Sequence, residues 1–275
     1  MTEAKERNFV TVEELSQGFS EYSLPEDRDL IGRNLILYYE DGRQASYEFV
    51  SDKILTYTCG QGEEAQTTAV IYSIVSPRKH IYLLDFIYSY GDTYSMTTVL
   101  DLAQNIATTA VGTLPTKEEV QISQFERGDK NLPLTSVKVD FFHASVDRPF
   151  TADCPKHEYS NDLVGERVQF IYSGNDVYEH IYLNDKFFTW HCLKGIEKGL
   201  CDTDRCYYLK LADELYWFIW MERIVPTIGC VLEDFEAMRS YGKIYGYESY
   251  EMGRVTNFPV GSYAKILNVT TYDFE

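Results

Sequence analysis

The sequence predicts an all-β protein built as two tandem antiparallel β-barrels with a short N-terminal helix. Three observations carry this. Short strand-like segments recur at regular spacing with tight turn signals between them. Aromatic residues make up 15% of the chain, and 23 of them are tyrosines, which pack well on a pleated surface. The second half of the chain repeats the first. At 275 residues there is room for two domains of about 100–150 residues, each with its own core. The aromatic enrichment fits a β-rich protein by itself. It fits equally a cavity wall, where a tyrosine ring is apolar and its hydroxyl orients a ligand.

Residues 1–26 form an N-terminal extension. Thr11 and Glu14 have the spacing of a capping box, so a short helix over 11–19 is predicted, serving as a lid or plug at a barrel end. Residues 27–115 form the first barrel, with strands at Asn34–Glu40, Gln44–Val50, Lys53–Cys59, Thr67–Val75, His80–Tyr88, Ser95–Asp101 and Ile106–Leu114. Glu40-Asp41-Gly42-Arg43, Ser51-Asp52 and Gly60-Gln61-Gly62 mark turns between them. Residues 116–160 break this rhythm with Pro133, Pro149 and Pro155, and are read as a connector with a partly helical piece at Lys117–Phe125 and one apolar run, Ser136–Phe142. Residues 161–275 form the second barrel.

The repeat appears at an offset of 133. Ser51-Asp52-Lys53-Ile54-Leu55-Thr56-Tyr57-Thr58-Cys59 then meets Asn184-Asp185-Lys186-Phe187-Phe188-Thr189-Trp190-His191-Cys192, with Asp, Lys, Thr and Cys identical. Val99-Leu100-Asp101-Leu102 meets Leu232-Glu233-Asp234-Phe235 at the same offset. This is an internal duplication.

Positions where the halves differ point to chemistry in the second. Phe170 and Tyr172 alternate on one face, as do Tyr178, His180 and Tyr182, and then Phe218, Trp220 and Glu222. His191 stands where the first half has Thr58. If these faces point inward, the second barrel encloses aromatic rings, one carboxyl and two imidazoles. A glutamate beside Phe218 and Trp220 is desolvated, which raises its pKa and makes it a candidate acid or base. Glu222, His180 and His191 are therefore the candidate catalytic residues. Tyr172, Tyr178, Tyr182, Trp220, Phe170 and Phe218 are the candidate substrate-binding residues. The competing readings are that Glu222-Arg223 is a solvated strand end, that His180 pairs at the rim, and that Trp190 rather than His191 faces inward. Strand register decides the last.

Other classes are disfavoured. A net charge of −18 is repelled by nucleic-acid phosphates and anionic lipid, so neither nucleic acid nor membrane is expected as a partner. No stretch approaches the roughly 20 apolar residues of a membrane span. The charged start, Met1 to Arg7, has no apolar segment behind it, so a cytoplasmic protein with six reduced cysteines is expected. Cys201 and Cys206 have four residues between them, with no second pair at zinc spacing. No glycine-rich phosphate loop or nucleophile elbow is present. No metal and no cofactor is therefore expected. A homodimer stays open.

Tyr178-Glu179-His180-Ile181-Tyr182-Leu183-Asn184, Gly199-Leu200-Cys201-Asp202-Thr203-Asp204, Trp220 to Thr227 and Met238 to Tyr247 resemble the carboxy-terminal domain of MoaF-like proteins. Gly32 and Tyr39 to Arg43 resemble that family's amino-terminal domain. The resemblance implies a lipocalin-like, or calycin, barrel for each half. A fainter similarity, in strand order and in the Trp220-x-Glu222 strand, is to phenolic acid decarboxylases, which are cofactor-free lipocalin-like enzymes. That similarity implies a substrate-facing role for Tyr172 and an acid/base role for Glu222. Position 170 is Phe where those enzymes carry a second tyrosine, and His191 stands where they carry an arginine for the substrate carboxylate. The expected function is a cofactor-independent lyase or isomerase acting by acid/base chemistry on a small aromatic or polyketide-like molecule. The alternatives are a non-catalytic calycin that binds a small hydrophobic ligand, and an accessory protein acting through its surface.

Overall fold

The computed structural model describes residues 9–271. The chain divides into two compact units. One holds Leu24–Thr113 and Val139–Glu158; the other holds the N-terminal stretch to Ser23, Leu114–Lys138 and everything from Tyr159.

The first unit is a closed antiparallel barrel of eight strands: β1 (Asn34–Tyr39), β2 (Gln44–Phe49), β3 (Ile54–Cys59), β4 (Gln66–Arg78), β5 (Ile81–Tyr90), β6 (Asp92–Asp101), β7 (Ile106–Thr113) and β8 (Lys138–Val146). Alternation explains why these segments form strands. In β1, Leu35, Leu37 and Tyr39 are buried in the core while their neighbours are not, a period of two. Gly42, at φ +87°, takes the left-handed conformation that the β1–β2 turn needs. Leu37 lies opposite Val146, and this β1–β8 pairing closes the ring. The closing strand thus comes from the stretch read as a connector. It was illegible because α2 (Lys117–Gln121) and α3 (Gln124–Asp129) separate it from β7 and interrupt the strand rhythm.

The second unit carries β9 (Glu158–Tyr159), β10 (Glu166–Ile171), β11 (Val177–Tyr182), β12 (Phe187–Lys194), β13 (Cys201–Ala212), β14 (Leu215–Glu222), β15 (Thr227–Asp234), β16 (Arg239–Tyr247) and β17 (Val255–Val269). Strands β10 to β17 close into a second eight-stranded ring through the β12–β13 and β10–β17 pairings, and β9 adds beside β13. The protein is therefore all-β, with two closed eight-stranded barrels in succession along the chain.

The duplication runs through the architecture. β2 starts at Gln44 and β11 at Val177, 133 residues on; β7 and β16 start at Ile106 and Arg239, again 133 apart. The eighth strands lose the offset, because the helical insert before β8 has no counterpart between β16 and β17.

The N-terminal helix α1 (Val12–Leu15) is shorter than the predicted 11–19, but its capping box is present. Glu14 accepts from the Thr11 backbone N–H at 2.8 Å, and Thr11 Oγ1 accepts from the Glu14 N–H at 3.2 Å. The chain then bends at Gly18, at φ +98°, where a Cβ would stand 2.6 Å from Asp176 Oδ2. This brings Val12 and Phe19 into the core of the second barrel, with Phe9 and Leu15 packed against it. No helix among the described residues is long and apolar enough to cross a membrane.

Candidate functional site

Register builds the site. β11 pairs with β12 so that His180 lies opposite Trp190 and Glu179 opposite His191. Side chains alternate along a strand, so Trp190 joins Tyr178, His180 and Tyr182 inside. His191 goes to the outer face. The candidate catalytic role for His191 is thereby corrected: its Nδ1 lies 2.9 Å from Glu179 Oε1, and Arg167 grips the same carboxylate with two bonds of 2.7 and 2.8 Å. Burial works against the charge on Glu179, but Arg167 and His191 together hold its carboxyl below the usual range. Thr58, the counterpart of His191 in the first barrel, also faces out and meets Thr67 at 3.0 Å; Tyr57 takes the inward place.

The remaining candidates converge. Aromatic rings surround His180: Phe170 at 4.7 Å between centroids, Phe188 at 5.1 Å, Phe218 at 5.6 Å and Trp220 at 5.8 Å. Burial pushes its pKa down to about 3, so the imidazole is neutral at physiological pH. Its Nδ1 has no hydrogen-bond partner among the described residues and lies 4.0 Å from Glu233 Oε1. That glutamate is fully buried, accepts from the Tyr182 hydroxyl at 2.5 Å, and is pushed up to about 8 by desolvation. At the 133-residue offset, His180, Tyr182 and Glu233 correspond to Tyr47, Phe49 and Leu100. The titratable trio thus belongs to the second barrel alone.

Above this layer lies a cavity of about 30 Å³ lined by Tyr172, Tyr178, His180, Trp190, Glu197, Trp220, Glu222 and Ile244, with Leu15 and Phe19 over it. The volume suits roughly two water molecules. Phe170, Tyr182 and Phe218 face the same interior but pack around His180 and do not line the cavity. Glu222 is partly buried and accepts from the Trp220 indole N–H at 2.8 Å. Burial first, then the charge of Asp204, raises its pKa well above the ordinary carboxylate value. Gly229 faces Trp220 across β14 and β15. A Cβ there would fall 2.0 Å from the indole ring, so the glycine makes the room in which Trp220 reaches Glu222.

Besides Glu233, two carboxyls escaped the sequence reading. Glu197, in the loop after β12, accepts from the Tyr178 hydroxyl at 3.1 Å and from the Val10 backbone N–H at 3.3 Å; burial raises its pKa. Asp204 accepts from the Trp190 indole at 3.1 Å, and burial with the nearby Asp202 pushes it up to about 7. A signal for Asp204 existed, since it alternates in β13 with the buried Cys206 and Tyr208. Glu197 sits in a loop and had none. Among the described residues no group of three or more His, Cys, Asp or Glu is arranged to hold a metal ion.

Comparison with known proteins adds the family. The model described as the MoaF C-terminal domain matches residues 157–270, and the one described as the MoaF N-terminal domain matches residues 7–116. Protein MoaF of Klebsiella aerogenes is 37% identical over 265 residues, which cover 96% of this chain and 97% of that protein. A solved structure from Burkholderia vietnamiensis, described as that of a candidate β-lactamase, gives a TM-score of 0.33 at 12% identity over 40% of this chain and 100% of its own. That likeness is too distant to carry an argument. The two domain matches and the full-length relative agree with a duplicated barrel whose halves have diverged, and the chain belongs to the MoaF family.

Proposed function

We propose that the second barrel is a cofactor-independent lyase or isomerase site, in which a small aromatic or polyketide-like molecule exchanges a proton with Glu222. One observation carries the reading: a carboxyl of raised pKa lies on the wall of an aromatic cavity beside a neutral imidazole. A proton-transfer group works best when its pKa approaches the working pH, and desolvation shifts Glu222 upward from the ordinary carboxylate value. Tyr172 and Tyr178 orient the substrate from the cavity wall. His180 is too weak a base to carry a proton at neutral pH, so its role is to position, through a hydrogen bond.

The second reading, a non-catalytic calycin that holds a small hydrophobic ligand, draws on the aromatic enclosure itself. Fold does not choose between them. The test is mass-spectrometric detection of product after incubation of wild type and Glu222→Gln with hydroxycinnamates, aromatic amines and cyclisable enones. Product from wild type alone supports the acid/base site. Equal product from both proteins removes Glu222 from the mechanism. Tryptophan quenching without product in either protein favours the carrier.

A further inference from the structure

We infer that the ligand of the second barrel is a small aromatic amine bound in its protonated form, with Phe19 holding the place of its ring. The inference rests on the reading that this barrel binds a small aromatic molecule, and it adds the ligand's charge.

Charge balance comes first. Glu222 and Glu197 line the cavity, and Asp204 stands behind Trp190. None of the lining residues is a lysine or arginine. Arg223, a cation nearby, is engaged by Asp202 at 2.6 Å, with its Nε 4.0 Å from Asp204. Buried carboxyls without a counter-charge hold their protons instead, in keeping with the raised pKa values of Glu222 and Glu197. A cationic ligand would replace those protons. An anionic ligand would be repelled.

The hydrogen-bond pattern agrees. The donors of Trp220, Trp190 and Tyr178 are each already turned onto a carboxyl, at 2.8, 3.1 and 3.1 Å. That leaves the ring faces, the carboxyl oxygens and the Tyr172 hydroxyl for a ligand, and ring faces beside acids that can ionise favour organic cations. Apart from the acids, His180 is 4% exposed, lines the cavity, and has an Nδ1 with no partner among the described residues.

The N-terminal segment then supplies both contacts an aromatic amine would make. The Phe19 ring stacks on Tyr172 at 4.5 Å and meets Tyr178 edge-on at 5.5 Å. The Val10 backbone N–H donates to Glu197 Oε1. One ring and one N–H donor thus occupy the aromatic wall and the carboxyl together. Displacement of the segment would release both, and would enlarge a cavity that now suits only water.

The test is calorimetric titration at pH 7 with benzylamine, benzyl alcohol and phenylacetate, on wild type, Phe19→Ala and the double variant Glu197→Gln/Glu222→Gln. Benzylamine is expected to bind at least about tenfold more tightly than benzyl alcohol, with no binding of phenylacetate. Heats compared between phosphate and Tris buffers are expected to show proton release on amine binding, from Glu222 facing Glu197, Asp202, Asp204 and the neutral His180. The double variant is expected to lose the preference. Equal affinity for alcohol and amine, or a preference that survives both carboxamides, overturns the inference while leaving aromatic binding intact. If none of the three compounds binds wild type or Phe19→Ala, the inference and the proposed function fall together.

Discussion

The ring of Phe19 stacks on the ring of Tyr172, with centroids 4.5 Å apart and planes 27° apart. A residue 153 positions upstream of Tyr172 thereby closes the cavity in which Tyr172, Glu222 and His180 meet. Removing the ring separates closure from chemistry. Phe19→Ala is expected to lower stability by about 3 kcal/mol, the usual cost of deleting a core phenyl, and to raise the affinity for small aromatics several-fold. Denaturant unfolding and tryptophan quenching measure the two effects. Unchanged affinity would mean that Phe19 is a packing residue and no gate.

Glu222→Gln keeps the size and the acceptor for the Trp220 indole but removes the titrating proton. Turnover is expected to fall by about 10²- to 10⁴-fold, the range for loss of a general acid or base. The midpoint of thermal unfolding is expected to hold or rise, because a desolvated carboxyl is lost. A variant that unfolds would show Glu222 to be structural.

Glu233 sets a pH dependence of stability. Its pKa rises from 4.5 to about 8 in the folded barrel, so the folded state keeps a proton that the unfolded state releases. By linkage, this group's contribution is full below about pH 4.5 and falls as pH rises to about 8. Glu233→Gln is expected to flatten stability against pH across that window in urea titrations. The same slope in both proteins would place the titrating group elsewhere.

Gly229 is the space in which Trp220 lies. A Cβ would stand 2.0 Å from the indole Cε2 and Cζ2 atoms, so Gly229→Ala must displace the ring. The expected result is an overpacking loss of about 1–3 kcal/mol, a shifted tryptophan emission and lost ligand binding. Native emission together with native binding would contradict the placement of the indole.

His191 tests the register. On the outer face with Glu179, it is remote from the proton transfer proposed for Glu222, and His191→Ala is expected to leave turnover within about twofold of wild type while Glu222→Gln lowers it by about 10²-fold or more. Arg167→Ala is expected to destabilise more than His191→Ala, since it removes two bonds to the buried Glu179 carboxylate. A turnover loss in His191→Ala matching that of Glu222→Gln would contradict the outward placement.

The sequence by itself determined the fold class, the duplication and most of the aromatic lining. These properties live in periodicity: residues such as Phe218 and Trp220, or Tyr178, His180 and Tyr182, share a face whenever the segment is a strand. Two strands ran over 44–49 and 177–182 at one constant offset because each is a local pattern closed by a local turn. Tertiary structure decided the rest. Whether Trp190 or His191 faces inward depends on pairing with β11, since a one-residue slip reverses every side chain. β8 closes the first barrel across a helical insert, a long-range pairing that no local pattern announces. Glu197 and Phe19 enter the second barrel from a loop and from the N-terminal segment, where no periodicity exists to read. The pKa values that make Glu222 and Glu233 interesting arise from burial among residues distant in sequence, and burial exists only once the barrel has closed.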